Sequence, residues 1–220
     1  MPLIWLFLLV LLIPMLFLFL FVQITTLSFT ALGLTPLGAT LLFTISIIGS
    51  MINIPLSIRD IEQGPLRRRN ESLFPYFIYY YPPQVERQII AINVGGALVP
   101  IAFSIYLLMR TPFFPALIAT LVMTIVAKLL ARPVEGVGIA LPAFIPPLIA
   151  ALIAVIVSPD HAAPVAYISG VLGTLIGADL LNLPRLKRFQ TQMISIGGAG
   201  VFDGIFMISL TAAILALIFG

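Results

Sequence analysis

The stretch "MPLIWLFLLVLLIPMLFLFLFVQ" (residues 1–23) contains no charged side chain, and it decides the class of fold. A helix of about 20 apolar residues crosses the roughly 30 Å hydrocarbon core of a bilayer. The stretch lacks a basic leading segment and a small-x-small cleavage site, so it predicts a retained membrane span rather than a signal peptide. The whole chain of 220 residues is 61% hydrophobic and 9% charged. The sequence therefore predicts one integral membrane domain over residues 1–220, an all-α polytopic bundle.

Six further apolar runs follow the first, which gives about seven predicted spans. Their approximate bounds are 3–22, 34–56, 89–108, 113–130, 137–157, 163–183 and 194–219. The fifth span contains several prolines, which remove backbone donors and kink helices. It is therefore expected to be bent or partly re-entrant, and a six-span arrangement with a re-entrant fifth segment is the alternative.

The basic residues lie in alternate loops. Ten of the eleven Lys and Arg residues fall in the loops after spans 2, 4 and 6, and the other loops hold only Arg110. Because loops rich in Lys and Arg remain cytoplasmic, we expect the N-terminus inside and the C-terminus outside. This bias favours seven spans over six and predicts a multi-pass protein of the cell membrane.

The longest loop, 57–88, contains "GPLRRRNESLFPYFIYYYPPQVERQ" (64–88). Arginines beside aromatic residues are typical of a cytoplasmic segment at the membrane interface. We expect Arg67, Arg68 and Arg69 to bind anionic lipid headgroups, which explains these charges better than nucleic acid does. The chain has no cysteine and one histidine, which excludes thiolate and multi-histidine metal sites, and no cofactor is predicted.

Two pairs of spans carry similar sequences, which suggests related hairpins over 34–108 and 163–219. An Asn-x-Pro ends spans 2 and 6, and a Gly-Gly pair opens spans 3 and 7. The matching segments are "GSMINIPL" (49–56) with "GTLIGADLLNLP" (173–184), and "NVGGALV" (93–99) with "SIGGAGV" (195–201). Repeats built around broken helices are frequent in transporters, so a true repeat would favour transport.

Two aspartates lie inside predicted spans. Asp203 is about nine residues into span 7, and Asp179 is about four residues before the end of span 6. At 1.5 Å per residue these depths are about 13 Å and 6 Å from the same side of the membrane. A buried carboxylate in a membrane is costly and by default marks a functional site. Two such carboxylates held close together would share a proton.

Small and amide residues surround these aspartates. Each of these two spans has a stripe of three glycines spaced G-x-x-G-x-x-x-G, which lets helix backbones approach closely. The stripes are Gly170, Gly173 and Gly177 in span 6, and Gly197, Gly200 and Gly204 in span 7. On an ideal helix Asp179 points about 150° away from its glycine stripe. Either the stripes pack against other helices, or the helix unwinds near Gly177–Ala178. The predicted site-shaping residues are Gly177, Asn182, Gly197, Gly198, Gly200, Gly204 and Asn53.

The segments "GTLIGADLLNL", "GGAGVFDGIF" and "INVGGALVP" resemble an uncharacterised prokaryotic membrane family, the domain of unknown function 1614 family. This resemblance covers nearly the whole chain and implies no activity.

The region around Asp203 is also similar to the presenilin and signal-peptide-peptidase pattern. The resemblance implies that Asp179 on span 6 and Asp203 on span 7 are the two catalytic aspartates of an intramembrane protease, joined by a cytoplasmic loop. Here Phe202 stands where that pattern has glycine. The "PAL" sequence (115–117), which those families carry on a later span, lies on span 4.

Two functions fit these residues. The favoured one is a diaspartyl intramembrane hydrolase in which Asp179 and Asp203 act as acid and base on a membrane-embedded substrate. The alternative is a proton- or cation-coupled transporter or channel that uses the same aspartates as its ion site.

Overall fold

The computed structural model describes residues 2–60, 87–134, 138–142, 144–189, 191–198 and 204–219. Helices predominate in these ranges, as predicted. The helices are α1 (Pro2–Ala31), α2 (Pro36–Ser50), α3 (Val94–Leu108), α4 (Phe113–Leu130), α5 (Ile145–Val157), α6 (Pro159–Leu186) and α7 (Gly204–Phe219). The strands are β1 (Asn53–Asp60), β2 (Arg87–Asn93), β3 (Arg132–Val134), β4 (Gly138–Ala140) and β5 (Met193–Ile196).

Three of these helices are long and apolar enough to cross a membrane. They are Leu12–Thr30 within α1, the whole of α4, and α6. The helices α2, α3 and α5 are apolar but shorter. Many large apolar side chains on α1, α2, α4 and α5 are exposed, as hydrocarbon-facing side chains would be. The structure therefore supports membrane helices, while the count of seven spans and their orientation stay predictions.

The all-α expectation is wrong where spans 2, 3 and 7 were predicted as continuous helices. Residues 53–60, 87–93 and 193–196 form a three-stranded sheet in the order β1-β2-β5. The strand β2 pairs antiparallel with β1 and parallel with β5. The physical reason lies in the side chains. Isoleucines crowd β2, and β-branched residues favour strands over helices. Pro55 in β1 cannot continue the preceding helix.

The predicted fifth span also begins as something other than a helix. Residues 138–140 form β4, which pairs antiparallel with β3, and the helix α5 begins only at Ile145. Pro146 and Pro147 lie in its first turn, where the missing N–H groups cost nothing. The prolines therefore mark a helix start, not a kink in a helix running from residue 137.

The helix α6 lies in the core of the described bundle. Tyr167 is fully buried, and its ring packs edge-on against Phe103 of α3 with centroids 5.1 Å apart. Phe29 of α1 packs against both rings. This aromatic cluster joins α1, α3 and α6, and it therefore fixes the position of α6 within the described bundle.

The glycine stripe of α6 packs against α4, and α6 is also irregular. A Cβ added at Gly173 would lie 2.6 Å from Met123 Cβ, and one at Gly177 would collide with the carbonyl oxygen of Thr124. Two π-helical segments, Ser169–Gly173 and Leu175–Asp179, interrupt α6. Of the two alternatives left open by the sequence, the first therefore holds, because the stripe packs on α4. Near Gly177–Ala178 the helix does not unwind but takes π-helical geometry up to Asp179.

Candidate functional site

Asp179 ends the second π-helical segment of α6 and faces the turn after β5. Its Oδ2 accepts a hydrogen bond of 2.7 Å from the backbone N–H of Gly197. The side chain is partly buried, and this is its single hydrogen bond within the part of the chain that the structure describes. The N–H of Gly197 thus orients the carboxyl group of Asp179 towards the turn. Asp179 therefore links a break in a helix to the end of a strand.

The turn that Asp179 contacts is built from two glycines whose backbone conformations favour glycine over any other residue. Gly197 and Gly198 have φ values of +85° and +89°. A Cβ at Gly197 would lie 2.5 Å from the Cβ of Ala97 on α3. The hydroxyl oxygen of Ser195 contacts the carbonyl of Gly198 across the turn. The turn is thus compact, and its backbone comes close to both α3 and Asp179.

An amide cluster lies beside this turn at the ends of the strands. Asn53 Oδ1 accepts hydrogen bonds from Ser195 Oγ at 2.6 Å and from Asn93 Nδ2 at 3.2 Å. Asn93 is fully buried, donates to the carbonyl of Ser50 at 2.7 Å, and accepts from the N–H of Gly96 at 2.7 Å. Asn53, predicted to shape the site, thus contacts the strand that leads to the Gly197–Gly198 turn.

Asn93 was missed by the sequence reasoning, although a signal was present. An asparagine three residues before a glycine, at the point where a strand ends and a helix begins, is a common capping arrangement. Its side chain caps α3 at the first Gly-Gly pair, whereas Asp179 accepts from the turn formed by the second.

Asn182 holds the backbone beside Asp179, and the hydrogen bonds described for its side chain go to other residues. Its Nδ2 donates to the carbonyl of Ala178 at 2.8 Å, and its Oδ1 accepts from Lys128 Nζ at 2.6 Å. The same ammonium donates to the carbonyl of Leu181 at 2.6 Å. Lys128 was also missed, because the sequence presents it only as a basic residue at the end of a span.

The remaining predicted residues divide into two groups. Gly177 packs on α4, and Gly204 is the first residue of α7. Asp203 and Gly200 lie outside the described residues, and so do the three arginines predicted to bind lipid, Arg67, Arg68 and Arg69. The pairing of Asp179 with Asp203 therefore stays a prediction.

One family model matches this chain, that of the family described as "Protein of unknown function (DUF1614)", over residues 47–215. The match covers most of the chain, so the chain belongs to this family, as its sequence suggested. No curated protein and no solved structure matches it. The resemblance to intramembrane aspartyl proteases has no support from these comparisons.

Proposed function

We propose that this member of the DUF1614 family is a multi-pass membrane protein that moves a proton or a small cation through a site centred on Asp179. The observation that carries the proposal is the position of this carboxylate. It lies where α6 is interrupted, and it accepts the N–H of Gly197 from the turn after β5. An ionisable group inside a membrane helix by default marks a functional site, and irregular membrane helices carry the ion sites of many transporters.

The membrane placement rests on length, exposure and charge. With seven spans, the N-terminus is inside and the C-terminus outside. The contacts among basic segments agree with this orientation. Lys128 near the end of α4 contacts the end of α6, and Gln88 beside Arg87 donates to the carbonyl of Phe189 at 2.9 Å. The basic ends of β2, α4 and α6 thus lie on one side, which suits a cytoplasmic face.

The groups around the Gly197–Gly198 turn suit ion handling. They are amide, hydroxyl and backbone groups that can ligate or relay a cation. Asn53 and Ser195 lie along the strand ends beside the turn, and the turn itself offers the carbonyl of Gly198. Oxygen atoms of this kind are the ligands that hard cations prefer.

Proton flux tests this proposal. The full chain is reconstituted into liposomes that contain a pH-sensitive dye, and a potassium gradient with valinomycin drives proton entry. We expect wild-type flux above that of empty liposomes, and flux near background for Asp179→Asn, which keeps a hydrogen-bond acceptor but cannot carry a proton. If protons are not carried, vesicles of the same composition but without valinomycin are tested for sodium and potassium uptake.

Asp160→Asn is the matched control, since Asp160 lies in a short turn before the helical part of α6 and outside the site. It is expected to behave as wild type. Equal fluxes of all three ions in wild type and Asp179→Asn would overturn the proposal.

A diaspartyl hydrolase is the second candidate, favoured by one contact. Asp179 binds Gly197, which precedes Asp203 by six residues, and six residues span at most about 20 Å. In this function Asp179 and Asp203 are acid and base. Single Asn substitutions at each position should then abolish cleavage of a membrane-embedded peptide library to the same extent. Cleavage that persists in either variant would exclude it.

A further inference from the structure

We propose that Lys128 of α4 is a positioning residue for Asp179 and acts on it through Asn182. The inference rests on the proposed role of Asp179 as the ion-carrying group. Neither the family description nor the sequence pattern assigns Lys128 a role.

The ammonium of Lys128 is held by two oxygen atoms at the end of α6. Its Nζ donates to the carbonyl of Leu181 and to Asn182 Oδ1, each at 2.6 Å. The backbones of the two helices are already close here, since a Cβ at Gly177 would lie 3.0 Å from the backbone nitrogen of Lys128. The lysine therefore holds the end of one helix against the other at the point where their backbones meet.

Asn182 connects Lys128 to Ala178, the residue before Asp179. Because Lys128 occupies its Oδ1, the amide group of Asn182 is fixed with Nδ2 directed at the carbonyl of Ala178, 2.8 Å away. At this point α6 changes from the π-helical segment Leu175–Asp179 to a 3-10 turn, Leu180–Asn182. Such transitions leave carbonyls without regular helical donors. The Asn182 side chain supplies one of those donors.

The influence of Lys128 is positional and does not arise from pairing with the carboxylate. Among the residues that the structure describes, the single ion pair joins Arg87 and Asp60, on exposed strand ends. Lys128 therefore acts along a chain of hydrogen bonds: ammonium to Asn182, Asn182 to the carbonyl of Ala178, and the adjacent Asp179 to the N–H of Gly197. Loss of the hydrogen bond from Lys128 to Asn182 should therefore weaken the hydrogen bond between Gly197 and Asp179.

Hydrogen exchange of the full chain in lipid nanodiscs tests this chain of contacts. Lys128→Met keeps the apolar stem and removes the ammonium. We expect amides in 193–198 to exchange about tenfold faster in this variant, because the hydrogen bond from the Gly197 N–H to the Asp179 carboxylate is weakened. Exchange in α2 should be unchanged. Lys128→Arg should restore the wild-type rate, and Asn182→Asp, which removes the donor to Ala178, should reproduce the effect of Lys128→Met.

Lys187→Ala is the matched control, because Lys187 follows α6 and makes no side-chain hydrogen bond among the described residues. Wild-type exchange at 193–198 in Lys128→Met would overturn the inference. Uniformly faster exchange that includes α2 would also overturn it, since it would indicate a general structural role. Proton flux is measured in parallel. Equal fluxes of protons, sodium and potassium in wild type and Asp179→Asn would overturn the proposed function, whereas the exchange data alone decide whether Lys128 positions Asp179.

Discussion

The two Gly-Gly pairs follow neighbouring parallel strands, but their conformations and polar partners differ. The first pair, Gly95–Gly96, lies in the first turn of the helix α3, directly after β2, and the neutral amide of Asn93 caps this helix end. Asn93 is fully buried and bonded on both its oxygen and its nitrogen. The second pair, Gly197–Gly198 after β5, forms a turn that is closed by the carboxylate of Asp179, which is partly buried. A buried neutral amide with all its partners suits a fixed support. An ionisable acceptor allows the second turn to respond to a proton or a cation.

The two Gly-Gly pairs also pack against different helices. A Cβ at Gly95 would overlap the carbonyl oxygen of Ser46 and the backbone nitrogen of Ser50, so the first turn lies directly on α2. The second turn contacts α3 through Ala97 and α6 through Asp179. The first turn therefore supports the fold, and the second is the candidate site.

The largest expected effect tests the rigidity of the first turn. Gly95→Ala should lower the free energy of unfolding in detergent by about 3 kcal/mol, because the added methyl group forces α2 and α3 apart. Gly33→Ala is the control: its φ is +88°, but nothing lies within 4 Å of the added Cβ. It should cost about 1 kcal/mol from backbone strain alone. Equal losses in the two variants would mean that the first turn is not a packed support.

Reciprocal substitution of the two polar partners sharpens the comparison. Asn93→Asp should cost about 2 kcal/mol or more, because it removes the donor to the carbonyl of Ser50 and buries a charge. Asp179→Asn should cost less than about 1 kcal/mol, since the amide oxygen still accepts from Gly197. Chemical unfolding in detergent measures both. Stability losses in the opposite order would contradict the assignment of support and site.

The smallest expected effect concerns the link between the two turns. Ser195→Ala removes the donor to Asn53 Oδ1, while Asn93 still donates to that oxygen. We expect a loss of about 1 kcal/mol. Ser57→Ala, on the exposed strand β1, should change stability by less than about 0.5 kcal/mol. If the two serine variants are equally stable, the amide cluster does not connect the turns.

Hydropathy predicted the helices well where a span is uniformly apolar, and α4 begins and ends at the predicted residues. It failed where strands replace the ends of spans 2, 3 and 7, at residues 53–56, 89–93 and 194–196, because strand and helix are equally apolar there and only pairing decides between them. The sequence also singled out Asp179, Asn53 and Asn182 as candidate site residues, since polar residues inside apolar runs are conspicuous.

The contacts of these residues could not be predicted in the same way. Lys128 and Asn182 are 54 positions apart, and Asn53 and Ser195 are 142 positions apart, so only the folded chain brings each pair together. The role of the glycines was ambiguous for a similar reason. The spacing of Gly173 and Gly177 indicates close packing but does not name the partner, which is α4.

Infrared difference spectroscopy across a step in pH tests most directly whether the second turn is held by a carboxyl group that gains and loses a proton. Wild type and Asp179→Asn are compared in lipid, with Asp160→Asn as control. The account predicts a carbonyl band of a protonated carboxyl group that appears on acidification in wild type and Asp160→Asn and is missing in Asp179→Asn. Identical spectra for wild type and Asp179→Asn would contradict it.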